Sequence, residues 1–156
     1  MKKIAIVYSS KHHGNTYKLV HAISNKYDID VFDASKQCHI NLNQYDIIGF
    51  ASGIDFGRFY TEIESFAKEY LPKNKKVFFI YTCAMDREGF TNSIKNIVLE
   101  KDAIVLGEYG CKGYNTYGPW KLIGGMNKNH PNEKDIELAI NFFKKIIDKK
   151  YINSNL

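Results

Sequence analysis

The run Ile4-Ala5-Ile6-Val7-Tyr8, followed by Ser9-Ser10-Lys11-His12-His13-Gly14-Asn15-Thr16, decides how this chain is read. An apolar strand pattern breaks into small, hydroxylated and cationic residues, and helical spacing then starts. Leu19, Val20 and Ile23 share one face of a helix predicted over residues 14–27. A strand ending this way before a helix builds an anion cradle. Successive backbone N–H groups curl around the anion, and the helix N-terminus adds partial positive charge. Gly14 lets the backbone approach without a Cβ in the way. Ser9, Ser10 and Thr16 can donate hydroxyls to phosphate oxygens, and Asn15 can brace the turn. The competing reading is an ordinary strand-to-helix turn; phosphate binding is the one adopted. Two other phosphate motifs are absent. The dinucleotide fingerprint needs three glycines where this loop has one, and the Walker pattern needs Gly-Lys-Ser/Thr where this loop has Gly14-Asn15-Thr16.

Outward from that loop, strands and helices alternate. Asp30-Val31-Phe32-Asp33 is a short, acid-flanked strand suited to a sheet edge. Residues 35–43 show no strong period and read as loop or a weak helical turn. The run Tyr45-Asp46-Ile47-Ile48-Gly49-Phe50-Ala51 is a strand covered on both faces. Thr61 and Glu64 form a capping-box pattern ahead of a helix carrying Ile63, Phe66, Ala67, Tyr70 and Leu71, which Pro72 stops. A buried strand over residues 76–81 leads to a helix faced by Phe90, Ile94, Ile97 and Val98. A fifth strand covers residues 103–107 and extends toward Tyr109. After a Gly- and aromatic-rich stretch, Pro131-Asn132 opens a last helix with Ile136, Ile140, Phe143 and Ile147 toward the core. Repeated strand–helix–strand units with short joins predict one α/β domain over residues 1–156, a parallel sheet with helices on both faces. Five such strands suit the order 2-1-3-4-5, in which ligands bind at the carboxyl ends beside strand 1. That is where the proposed phosphate loop lies.

The loop resembles the phosphate loop of the flavodoxin family, usually Ser/Thr-x-Thr-Gly-Asn-Thr. Gly14-Asn15-Thr16 with Ser9 or Ser10 carries the match; the loop is one residue longer, and Lys11-His12-His13 replace small hydroxyl residues. The resemblance implies a flavodoxin-like three-layer sandwich holding FMN. It places Ser52, Gly53, Ile54, Asp55, Phe56 and Gly57, after strand 3, around the flavin ring, with Phe56-Gly57 beside the isoalloxazine. Phe56, Phe59 and Tyr60 can equally be packing residues. Thr82, Cys83 and Ala84 follow strand 4, with Thr82 against the polar edge of the ring and Cys83 a small buried filler. Residues 109–130 hold Tyr109, Tyr114, Tyr117 and Trp120 among five glycines, and resemble a segment of small flavodoxin-family proteins. The stretch can lid the flavin, meet a partner, support a dimer or pack on itself.

Composition narrows the classes. The 156 residues are 44% hydrophobic and 25% charged, which suits a globular core and excludes disorder. No apolar run reaches the ~20 residues a membrane span needs, and the run after Met1-Lys2-Lys3 is too short for a signal peptide, so a cytoplasmic protein is expected. Cys38, Cys83 and Cys111 lie far apart and fit reduced thiols rather than disulfides or zinc. Of the five histidines, His12 and His13 are adjacent and His21, His39 and His130 scattered, which gives no metal spacing, and lysines spread along the chain at net charge +5 give no nucleic-acid stripe. The reading is an FMN-binding electron carrier, a monomer or weak homodimer. Its basic balance, unlike the common acidic surface of the family, suits a less negative potential or an acidic redox partner. Two alternatives stand. One is a flavodoxin-fold FMN oxidoreductase acting on a quinone or on protoporphyrinogen, since residues 52–60 also resemble the protoporphyrinogen oxidase branch. The other is a binding module without flavin.

Overall fold

Alternate residues of the first strand are buried on opposite sides, which puts it in the middle of the molecule. In β1 (Ile4–Ser9), Ala5 and Val7 join one apolar cluster while Ile4 and Ile6 join another. A strand buried on both faces must be apolar nearly throughout, as this one is. A computed structural model of the chain describes residues 2–36 and 39–148. In it β1 pairs in parallel with β2 (Asp30–Asp33) on one side and β3 (Ile47–Asp55) on the other. β3 pairs in parallel with β5 (Lys76–Cys83), and β5 with β6 (Ile104–Lys112). The parallel strands therefore run β2-β1-β3-β5-β6, the predicted order. A sixth strand that the sequence did not announce, β4 (Arg58–Phe59), folds back antiparallel on the end of β3.

Helices complete three layers. α1 (Asn15–Ser24) and α4 (Glu133–Asp148) cover one face through Leu19, Val20, Ile23, Ala139, Phe143 and Ile146. α2 (Thr61–Tyr70) and α3 (Asn92–Leu99) cover the other through Ile63, Phe66, Ala67, Ile94 and Val98. In α4 the predicted residues Ile136, Ile140 and Ile147 pack at the margin, and Ala139 and Ile146 take the buried line beside Phe143.

Three local expectations change. The capping box at α2 does not form: Tyr60 is the N-cap residue, Thr61 makes no cap bond, and the Glu64 carboxylate pairs with the Arg58 guanidinium instead. A reciprocal cap of this kind does form at α4. There Asp135 N–H donates to Asn132 Oδ1 at 2.9 Å and Asn132 N–H donates to Asp135 Oδ2 at 2.8 Å. Between β2 and β3 the chain makes a turn and a single 3-10 turn at Leu42–Gln44, whose Leu42 is buried. Cys38 lies outside the described residues. Among the described residues no helix is long and apolar enough to cross a membrane.

Candidate functional site

All the loops of interest leave the carboxyl ends of β1, β3, β5 and β6, where neighbouring crossovers diverge and open a crevice. Four segments wall a cleft there that is partly open to solvent and encloses about 30 Å³. That is well below the usual range for small-molecule sites.

The first wall is the loop between β1 and α1. His13 and Gly14 both take left-handed backbone (φ 53° and 65°), with Gly14 at the N-cap position and no side-chain cap. In the first turn, Tyr17 N–H is taken by Ser10 Oγ and Asn15 N–H by His12 O, which leaves Thr16 N–H without a partner among the described residues. Two hydroxyl protons at this wall have no acceptor among the described residues. Ser10 Oγ accepts from Tyr17 N–H at 3.2 Å, so its own proton is free to donate. Thr16 Oγ1 and Thr82 Oγ1 are 2.9 Å apart and buried; one donates to the other, which leaves one proton between them. Ser9 is buried and donates to Glu62 Oε1 at 2.6 Å.

The loop cations turn sideways. Lys11 Nζ donates to Glu62 Oε2 at 2.8 Å and sits 4.7 Å over the Tyr60 ring. His13 Nε2 is 3.0 Å from Thr116 Oγ1, and its ring packs at 4.2 Å on Tyr114. His12 lines the cleft. Asn15 braces as expected, but across the site rather than within its own turn. Its Nδ2 donates to Tyr114 O at 2.8 Å, while its buried Oδ1 has no donor among the described residues.

The second wall was read as a loop and is a hairpin. Ser52 Oγ donates to Gly53 O at 2.7 Å and accepts from Tyr60 N–H at 2.9 Å, closing the base. Gly53 and Ile54 line the cleft. Gly53 must be glycine because a Cβ there would overlap the Tyr60 ring. Asp55, Phe56 and Gly57 carry the turn away, with φ of 48° at Phe56 and 78° at Gly57, as a two-residue turn of type I′ requires. The three aromatics therefore separate. Phe59 is core, Tyr60 lines the cleft, and Phe56 stands 92% exposed at the hairpin tip, away from the cleft lining. Burial first, then Asp55 and Glu62, push the Tyr60 phenol up to about 12, so it stays protonated.

Thr82, Cys83 and Ala84 form the third wall. Burial, then Asp86, pushes the Cys83 thiol up to about 12, which keeps it neutral and unreactive. The fourth wall, Gly113, Tyr114 and Asn115 at the end of β6, was not among the predicted site residues. The signal for it was present in Gly113-Tyr114, small then aromatic. A Cβ at Gly113 would lie 2.7 Å from Asn15 Nδ2. From this wall the chain makes a closed excursion. Asn115 bridges Met126 in an antiparallel pair, and Asn127 Nδ2 donates to Ala84 O at 2.7 Å. The tip is a 3-10 segment, Gly118–Ile123, whose Leu122 is 89% exposed, with Tyr117 and Ile123 also in solvent.

Of the predicted residues, Ser10, His12, Asn15, Thr16, Gly53, Ile54, Thr82, Cys83 and Ala84 line the cleft. Ser9, Lys11, His13, Gly14, Ser52, Asp55, Phe56 and Gly57 shape or flank it without lining it.

The sequence profile described as a flavodoxin domain matches residues 5–116. An uncharacterized protein of Methanocaldococcus jannaschii is 40% identical over 147 residues, covering 93% of this chain and 98% of its own. Among solved structures, a flavodoxin of Streptococcus pneumoniae TIGR4 superposes with TM-score 0.67 at 18% identity, over 94% of this chain and 98% of its own. Oxidised flavodoxin 1 of Bacillus cereus gives 0.66 at 16% identity, over 94% and 97%. Fusobacterium nucleatum flavodoxin bound to flavin mononucleotide gives 0.61 at 18%, over 93% and 98%.

Proposed function

The chain belongs to the flavodoxin family, and from that premise we propose that it binds FMN at the four-walled cleft and passes electrons between redox partners. One observation carries the reading: free donors and one free acceptor converge at the switch point. Ser10 and the Thr16–Thr82 pair each have a hydroxyl proton to give, the Thr16 N–H at the start of α1 has no partner among the described residues, and the Asn15 carbonyl is buried without a donor. A phosphate asks for the donors, and an N–H or hydroxyl of the same ligand would satisfy Asn15. Bound FMN would supply one- or two-electron chemistry, and the protein the grip and electrostatics around it. Tyr60 and Cys83, both neutral, offer apolar surface to a ring without bringing charge to it.

The partner proposed is acidic. No Asp or Glu occurs between Glu108 and Glu133, while Lys112, Lys121 and Lys128 do. The exposed tip carrying Tyr117, Leu122 and Ile123 lies in this cationic stretch, on the same sheet edge as the cleft. A second reading, an FMN oxidoreductase acting on a quinone or protoporphyrinogen, is favoured by the fourth wall, whose Tyr114 adds an aromatic side to the cleft.

The visible spectrum of the purified protein, before and after FMN loading and desalting, tests the cofactor. Retained flavin absorbance is expected; a protein that cannot be loaded overturns both flavin readings and leaves a phosphate-binding module. Quinone turnover with NAD(P)H and no separate reductase would favour the enzyme over the carrier. Insensitivity of partner affinity to salt between low and physiological ionic strength would remove the acidic partner.

A further inference from the structure

The phosphate loop contains an anion already. Glu62, in the first turn of α2, reaches across to it from the opposite face of the sheet and takes two of its groups at once. Its Oε1 accepts the Ser9 proton at 2.6 Å and its Oε2 accepts from Lys11 Nζ at 2.8 Å. A hydroxyl has one proton, so Ser9 cannot donate to a ligand while it donates to Glu62. Lys11 is likewise held toward Glu62, its ammonium over the Tyr60 ring.

We infer that Glu62 is a resident counter-anion of this loop, which keeps Ser9 and Lys11 at the flank of the cleft from serving a bound phosphate, and that it thereby weakens the grip on phosphorylated flavin relative to the unphosphorylated ring. This rests on the proposed cofactor site and deepens it. Glu62 is ionised at neutral pH; burial works against its charge, but hydrogen bonds from Lys11 and Ser9 outweigh that and hold its carboxyl below the usual carboxylate value. A carboxylate beside an incoming dianion also repels it, so the competition has two sources, lost donors and like charge. The consequence is a flavin that exchanges. Lys11, in place of the small hydroxyl residue usual in the family loop, is the cation that makes the internal pair possible.

The test compares FMN with riboflavin, which lacks the phosphate, by quenching of flavin fluorescence in wild type, Glu62→Ala, Glu62→Gln and Glu62→Ala/Lys11→Met. Glu62→Ala is expected to bind FMN roughly tenfold tighter, the equivalent of about 1.4 kcal/mol, with riboflavin unchanged. The double variant should lose most of that gain. Glu62→Gln, which keeps the shape and an acceptor for Ser9, should give a smaller gain and guards against misfolding of the alanine variant. Inorganic phosphate should raise the melting temperature of apo Glu62→Ala more than that of the apo wild type. Equal shifts for FMN and riboflavin, or weaker FMN binding in both single variants, would overturn the inference and make Glu62 a brace for the loop. Should wild type bind neither flavin while phosphate still protects Glu62→Ala more strongly, the cofactor reading fails and the counter-anion stands. Normal FMN binding that no Glu62 variant alters sinks the counter-anion alone.

Discussion

The inner and outer halves of the cleft are held by different forces. On the inner half, Asn15, Thr16, Gly53 and Thr82 sit at strand and helix ends whose neighbours are core, and their positions are set by close contact and buried hydrogen bonds. On the outer half, Phe56 at the β3–β4 turn and Leu122 on the β6 excursion project into water from strained or closed turns. Folding alone fixes the first. The second leaves in water apolar side chains that the folded chain does not pack. Substitutions on the two halves should therefore act in opposite directions on stability.

The largest effect is expected at Gly53. Adding a methyl there drives it into the Tyr60 ring, and Gly53→Ala should cost about 3 kcal/mol by urea unfolding, as overpacking of a tight site does, and abolish FMN binding. A cost below 1 kcal/mol would mean that Tyr60 swings away freely and is no wall. Asn15→Ala comes next. It removes the donor to Tyr114 O, and losing a buried hydrogen bond of this kind costs about 1–2 kcal/mol. Hydrogen exchange should show residues 114–127 opening while the sheet stays protected; unchanged exchange would detach Asn15 from the positioning of that loop.

Phe56→Asn should go the other way. Left-handed backbone costs a bulky residue about 1–2 kcal/mol and suits Asn, so the variant should gain about 1 kcal/mol. If Phe56 also serves the flavin or a partner, FMN affinity or electron-transfer rate falls as stability rises. The smallest effect belongs to Glu62. Its carboxyl is held below its usual value of 4.5, so the pair adds stability above that pH and loses it as pH falls through the lowered value. Partly exposed, it should contribute under 1 kcal/mol, and the stability gap between wild type and Glu62→Gln should close in acid. A gap that persists at pH 3 would assign Glu62 a role other than charge.

The same division marks what could be read beforehand. Ser10, Asn15, Thr16 and Thr82 follow strands whose apolar runs are unmistakable, so their place at one edge follows from the order of elements. The hairpin at residues 54–59 could not be read so. Phe56-Gly57 is a poor turn signal because the first position favours Asn or Gly, and the turn forms because Ser52 ties Gly53 and Tyr60 together beneath it. Thr61 and Glu64 make a sound capping pattern in one dimension, and Arg58, brought near by that hairpin, draws Glu64 off instead.

By itself the sequence determined the strand–helix alternation, the sheet order and the position of the loop between β1 and α1, because these rest on periodicity and on which runs must be buried. The tertiary structure decided which loop donors are free, that Glu62 occupies Ser9 and Lys11, that Phe56 faces water while Tyr60 faces the cleft, and that Gly113-Tyr114-Asn115 close its fourth side. The physical reason is the range of the interactions. Burial patterns are written every two to four residues along the chain, whereas a hydroxyl proton goes to whichever acceptor the fold brings within 3 Å or so, and here that acceptor comes from 53 residues away.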